Sequence, residues 1–172
     1  IFDELKNQKK DGNAPYIAYD NNRSFYLELV KNQLSFLSDN SNAYRLIHLW
    51  GTHAPATLNS DITVSEDKDA TYISQGKACL NIVSEYLEQL KRMNIYDQTM
   101  VIVTADHGSS WGTFPIFMIK GFGEHGIFQI SESPISHSDL IPIVSNSINP
   151  GQAHTDDIDY KIGRNNTKRN YY

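Results

Sequence analysis

Two short apolar runs separated by one long amphipathic stretch constrain this chain more than any other feature. The first run, Arg45-Leu46-Ile47-His48-Leu49-Trp50, has the length and character of a buried strand, and Met100-Val101-Ile102-Val103 has the same character. Between them, residues 69–93 place Tyr72, Gly76, Cys79, Leu80, Val83, Tyr86, Leu87, Leu90 and Met93 on one helical stripe, with Asn94 positioned as a C-terminal cap. Strand, long helix, strand is the order of a right-handed crossover that lays two strands parallel. The chain therefore reads as α/β, with a mainly parallel sheet.

Shorter elements flank this unit. Phe25, Tyr26, Leu29, Val30, Leu34 and Leu37 recur at helical spacing, which predicts a helix over 24–38 running out into the polar loop 39–42. A further strand is expected over 115–120, broken by Gly121-Phe122-Gly123. Ser136 or Ser138, with Asp139, then opens a helix to residue 147, and Pro142 is tolerated because it lies near the first turn. Residues 1–148 thus read as one domain portion and 149–172 as a polar tail.

Both strand-like runs end in histidines. The first leads into Gly51-Thr52-His53-Ala54-Pro55 and the second into Thr104-Ala105-Asp106-His107-Gly108. In parallel sheets, ligands gather beyond the carboxyl ends of the strands, so His53 and the Asp106-His107 pair are expected at one sheet edge. Adjacent side chains on an extended strand point to opposite faces. Asp106 and His107 can therefore share a cation only where the chain turns, and Gly108 makes that turn sterically easy. The simpler reading is that Asp and Gly merely terminate the strand.

Charge and length narrow the function classes. With 172 residues, 40% of them hydrophobic, the chain is long enough for one well-buried domain. A net charge of -5 argues against a nucleic-acid binder or attachment to anionic lipid through charge. No apolar run approaches the roughly 18 residues needed to span a bilayer. Cys79 has no intrachain partner and is expected to act as a buried small hydrophobe. His48 reads as a satisfied strand histidine, whereas His125 and His154 read as solvated loop residues.

Together, Leu49-Trp50-Gly51-Thr52-His53-Ala54-Pro55, Thr104-Ala105-Asp106-His107-Gly108 and Pro134-Ile135-Ser136-His137-Ser138-Asp139-Leu140-Ile141-Pro142 resemble, in order and spacing, the sulfatase-like branch of the alkaline phosphatase superfamily. The resemblance covers residues 44–148 and corresponds to the carboxyl-terminal half of that catalytic domain. It is closest in flavour to the phosphoglycerol and phosphoethanolamine transferases of bacterial envelopes. It implies a three-layer αβα fold, incomplete in this chain. It also implies a divalent ion (manganese, zinc, calcium or magnesium) on Asp106 and His107, and a phosphate- or sulfate-ester substrate facing His53 as catalytic and substrate-binding group. His137 is implied as a second substrate contact. The chain opens on Ile1, so the expectation is a portion of a larger extracytoplasmic enzyme, anchored to the membrane through other parts and weakly active alone.

Two departures shape the reading. The family's nucleophile and upstream acidic ligand have no recognisable counterpart, and Thr52, Thr104, Ser109 and Ser110 are only nearby hydroxyls, so the nucleophile is unassigned. The short link Ser109-Ser110-Trp111-Gly112-Thr113 stands where sulfatases insert a longer loop with a substrate-binding lysine, which favours phosphorus chemistry. A sulfate ester hydrolase, or a non-catalytic binding module on the same fold, are the competing readings.

Overall fold

A computed structural model describes residues 21–36, 43–66, 69–108, 114–131 and 135–148. The chain divides into two units, Ile1–Tyr96 and Asp97–Tyr172.

The first unit is built on α1 (Asn21–Asn32) and α2 (Tyr72–Arg92). α1 buries Leu29, and its half-buried Phe25 and Tyr26 pack on the core. The helix stops well short of 38, because Gln33 turns into the left-handed region (φ 54) while the amide of Leu34 donates to Gln89 Oε1 at 2.7 Å. A buried acceptor on α2 thus replaces the next helical carbonyl.

α2 is closed at both ends by hydrogen bonds its sequence provides. Thr71 Oγ1 accepts from Ser74 N at 3.0 Å and Ser74 Oγ accepts from Thr71 N at 2.9 Å, a reciprocal capping box. At the other end Asn94 adopts φ 57, its N–H donating to Lys91 O, while Ile95 N donates to Leu90 O. That pair of bonds is the Schellman closure that asparagine accommodates in place of glycine.

The buried face of α2 differs from the apolar stripe expected of it. Gln75, Ala78, Ile82, Gln89 and Leu90 are buried, whereas Tyr72 and Leu80 are exposed. Gln75, Ile82 and Gln89 lie at heptad spacing on one face, and the two amides are inside because they serve main-chain groups there. Cys79 is only half-buried. Ala78 and Ile82 form the core with Leu58 and Ile62, against which Leu49 also packs. Leu58 and Val64 form an isolated bridge around a tight turn, in which Ile62 takes a φ of 69 that β-branched residues rarely adopt. Burial of its side chain offsets that strain.

The second unit holds β1 (Val101–Thr104), β2 (Phe117–Lys120), a 3-10 turn at His137–Asp139 and α3 (Leu140–Ile148). Here the expected fold class is corrected. Instead of a three-layer αβα arrangement on a mainly parallel sheet, the described residues form a two-stranded antiparallel sheet, with Val101 opposite Lys120 and Thr104 opposite Phe117. Parallel neighbours are joined by a crossover that is usually helical, and none of the described residues between Thr104 and Phe117 is helical. The run 45–50 forms no strand. Tyr44 and Leu46 are 83% and 76% exposed, and His48 is exposed with them rather than set among apolar neighbours. β-propensity expresses itself through cross-strand neighbours, and this run has none among the described residues.

The end of the hairpin near residue 121 is tied by Gly123 N to Asp97 O at 2.8 Å, Lys120 Nζ to Thr99 O at 2.9 Å and Gly121 N to Glu124 Oε2 at 2.6 Å. Gly121 is buried, and a Cβ there would meet the Glu124 carboxylate at 2.9 Å. Ser136 is the residue that opens the helical segment. Buried Asp139 accepts from Ser136 N at 2.8 Å and returns its own N–H to Ser136 O at 2.9 Å, and Ile143 anchors α3. No described helix is long and apolar enough to cross a membrane. The residues expected to form the polar tail lie outside the described ones, as do His154, Ser109 and Ser110.

Candidate metal centre

β1 ends at Thr104, its last paired residue, and the chain turns at once through Ala105, Asp106, His107 and Gly108. Asp106 Oδ1 accepts from the main-chain N–H of His107 at 3.0 Å, which fixes the carboxylate across the turn. Its other oxygen, Oδ2, lies 3.7 Å from His107 Nε2. The turn required for two adjacent residues to converge is therefore present.

The histidine ring is oriented as well. His107 Nδ1 lies 2.6 Å from the carbonyl oxygen of Gly108. A carbonyl only accepts, so Nδ1 is the donor there, and Nε2 is the ring nitrogen turned toward Asp106. Metal-ligating histidines are held in this way, with one ring nitrogen donating to a carbonyl and the other free for the ion. Tetrahedral zinc with bonds of about 2.0–2.1 Å spaces neighbouring donors by roughly 3.3–3.5 Å, close to the separation found. Both side chains are open to solvent, 77% for Asp106 and 74% for His107. The donor set fits half of a divalent-ion shell. Among the described residues no group of three or more His, Cys, Asp or Glu side chains completes it.

His137, 32 residues further along, reaches the same turn. Its Nε2 lies 2.7 Å from the carbonyl oxygen of Ala105, the residue immediately before Asp106. The structure thus brings His137 to the main chain next to Asp106, inside the second unit. His125 stands apart from that turn in its bonding, 3.6 Å from Asp97 Oδ1.

His53 belongs to the first unit. Its Nδ1 is 2.6 Å from Ala54 O, so it too donates there and presents Nε2, which takes no partner among the described residues. The ring leans on Trp50 with centroids 4.6 Å apart. Its loop is held by buried carboxamides. Asn22 Nδ2 donates to Gly51 O at 2.8 Å and Asn22 Oδ1 accepts from Gly51 N at 2.9 Å. Gln75 Nε2 donates to Gly51 O at 3.0 Å and His53 O at 3.2 Å, while its Oε1 accepts from Thr57 N at 2.7 Å and Leu58 N at 3.3 Å.

Sequence reasoning missed the part that Asn22 and Gln75 play in holding this loop. The signal was weak: Gln75 stands one heptad before Ile82 on α2, but a glutamine is ordinarily read as a surface residue. Of the hydroxyls considered as nucleophiles, Thr52 is half-buried and Thr104 exposed. Comparison with family models, with curated proteins and with solved structures returns no match.

Proposed function

We propose that this chain serves a metal-dependent phosphotransferase or phosphodiester hydrolase, with Asp106 and His107 holding the divalent ion. One observation carries the reading: Asp106 Oδ2 and His107 Nε2 converge to 3.7 Å while the opposite ring nitrogen is engaged by the Gly108 carbonyl. With the Nε2 lone pair free the two atoms are adjacent acceptors, an arrangement that a cation between them stabilises. Two protein donors also leave coordination positions for water and substrate oxygens, the open arrangement that catalysis needs.

A divalent ion there would offset charge on the transferring phosphoryl group and lower the pKa of a coordinated hydroxyl. The carboxylate and imidazole of the chain orient that charge. In the first unit His53 leaves Nε2 clear of its Nδ1 contact on a loop fixed by Asn22 and Gln75, and imidazoles serve as general acids and bases. The substrate class, a cell-envelope phosphodiester reached from outside the cytoplasm, rests on the likeness of the three motifs between residues 44 and 148 to the envelope transferases. The absence of a sulfatase-type lysine in the short 109–113 link favours phosphate over sulfate.

The test is two-step binding by isothermal titration calorimetry. Zn2+ or Mn2+ should bind the chain in a manner lost in Asp106→Ala, and inorganic phosphate should then bind the metal-loaded protein more tightly than sulfate does. Phosphate binding indifferent to the metal, or a preference for sulfate, would overturn the assignment.

A further inference from the structure

The side chains of Asp106 and His107 are about three-quarters exposed, so packing does not hold them where they converge. Their geometry must come from the main chain of the turn. That turn begins where the ladder ends: Thr104 is the last residue of β1 with a partner on β2, and the carbonyl of Ala105 lies beyond it. The ladder offers this carbonyl no N–H. It receives the His137 ring at 2.7 Å and the Thr104 hydroxyl at 3.3 Å.

We infer that His137 is a positioning residue for the ion site, tethering the tip of β1 through Nε2–H, and not a substrate contact through that nitrogen. The inference rests on the metal reading of Asp106 and His107. A carbonyl acceptor requires the proton on Nε2, so that nitrogen has no lone pair to offer an ion or a phosphoryl group. The tether has a firm base. His137 opens the turn whose Asp139 is buried and bonded to Ser136 N, and α3 continues from it onto buried Ile143. Ala105 is thereby held to a point 32 residues away in sequence, and the next two residues inherit that restraint. Outer-shell partners of this kind typically change metal affinity by roughly ten- to a hundredfold when removed.

The experiment compares His137→Gln, His137→Asn and His137→Ala in the full chain. Glutamine places an N–H donor near the ε position, whereas asparagine is too short to reach. Zn2+ affinity should survive in His137→Gln and fall roughly ten- to a hundredfold in His137→Ala and His137→Asn. Ring nitrogen-15 shifts of His137 in the wild-type protein should report the Nε2–H form both before and after Zn2+ is added. A metal-bound Nε2, or a glutamine variant as weak as the alanine variant, would overturn the inference.

The amide exchange rate of His107, whose N–H donates to Asp106 Oδ1, is read on the same variants without metal. It should rise in His137→Ala and stay at the wild-type rate in His137→Gln; equal rates in all variants would refute the tether. Should the wild-type chain fail to bind Zn2+, the metal reading falls, while exchange and ring shifts still decide the tether. Should the alanine variant fail to fold, the glutamine variant and the wild-type ring spectrum decide it.

Discussion

Asn22 and Gly51 exchange both their amide functions: the Gly51 N–H donates to Asn22 Oδ1 at 2.9 Å, and Asn22 Nδ2 donates back to Gly51 O at 2.8 Å. The pair joins the first turn of α1 to the loop that carries His53, and the asparagine is fully buried. Asn22→Ala should therefore destabilise the first unit by roughly 1–3 kcal/mol, since it leaves the Gly51 N–H without its partner. Asn22→Asp keeps the acceptor but faces a carboxylate toward the Gly51 carbonyl, so its penalty should shrink in acid, where a protonated carboxyl can donate. Urea denaturation at neutral and acidic pH checks both outcomes.

Gln75 satisfies four main-chain groups of residues 51–58 at once. Gln75→Leu fills similar volume and removes every one of these bonds, so a loss of about 2–5 kcal/mol is expected. Gln75→Glu retains the acceptor for Thr57 and Leu58 but not the donors to Gly51 and His53. It should be most damaging at neutral pH, and amide exchange across residues 51–58 should accelerate in step with the measured loss.

Gly51 takes a φ of +64, and a Cβ built there meets nothing within 4 Å. The cost of Gly51→Ala should accordingly be backbone strain alone, about 1 kcal/mol, with Gly51→Asn costing less because asparagine tolerates the left-handed region. A penalty several times larger, measured by thermal or chemical denaturation, would show that the open space is filled in solution.

Glu85 is held below the usual carboxylate range, first by the Gln89 side-chain amide at 2.9 Å and then by the Arg92 guanidinium at 2.8 Å. A carboxylate with a depressed folded-state pKa contributes its full stabilisation above the ordinary glutamate value and loses it as pH falls through the depressed one. The contribution is that of a largely surface pair, a few tenths of a kcal/mol. Glu85→Gln should flatten this part of the acid limb of the stability curve, as followed by denaturation between neutral and acidic pH.

Local signals were legible where short-range chemistry decides. Asn94 closes α2 because left-handed asparagine at that offset satisfies the last carbonyls, and the turn directly after β1 sets Asp106 beside His107. Non-local pairing was not legible. The run 45–50 has strand composition, yet strand composition does not name a partner, and β2 pairs with β1 antiparallel. Nor did composition reveal that Gln75 and Gln89 turn inward, since their burial is determined by main-chain groups of residues far away in sequence: Gly51 and His53 for one, Leu29 and Leu34 for the other. His137 was recognisable as a residue near the site, but its partner, a main-chain carbonyl, leaves no trace in the sequence.

The most direct measurement is a Zn2+ titration of the wild-type chain beside Asp106→Ala and His107→Ala, with histidine ring nitrogen-15 spectra recorded at each step. One equivalent should bind the wild-type protein, the His107 Nε2 resonance should move to the metal-bound range while Nδ1 stays protonated, and both variants should lose that site. A wild-type protein whose His107 ring is untouched by the ion, or variants that bind as it does, would contradict the account.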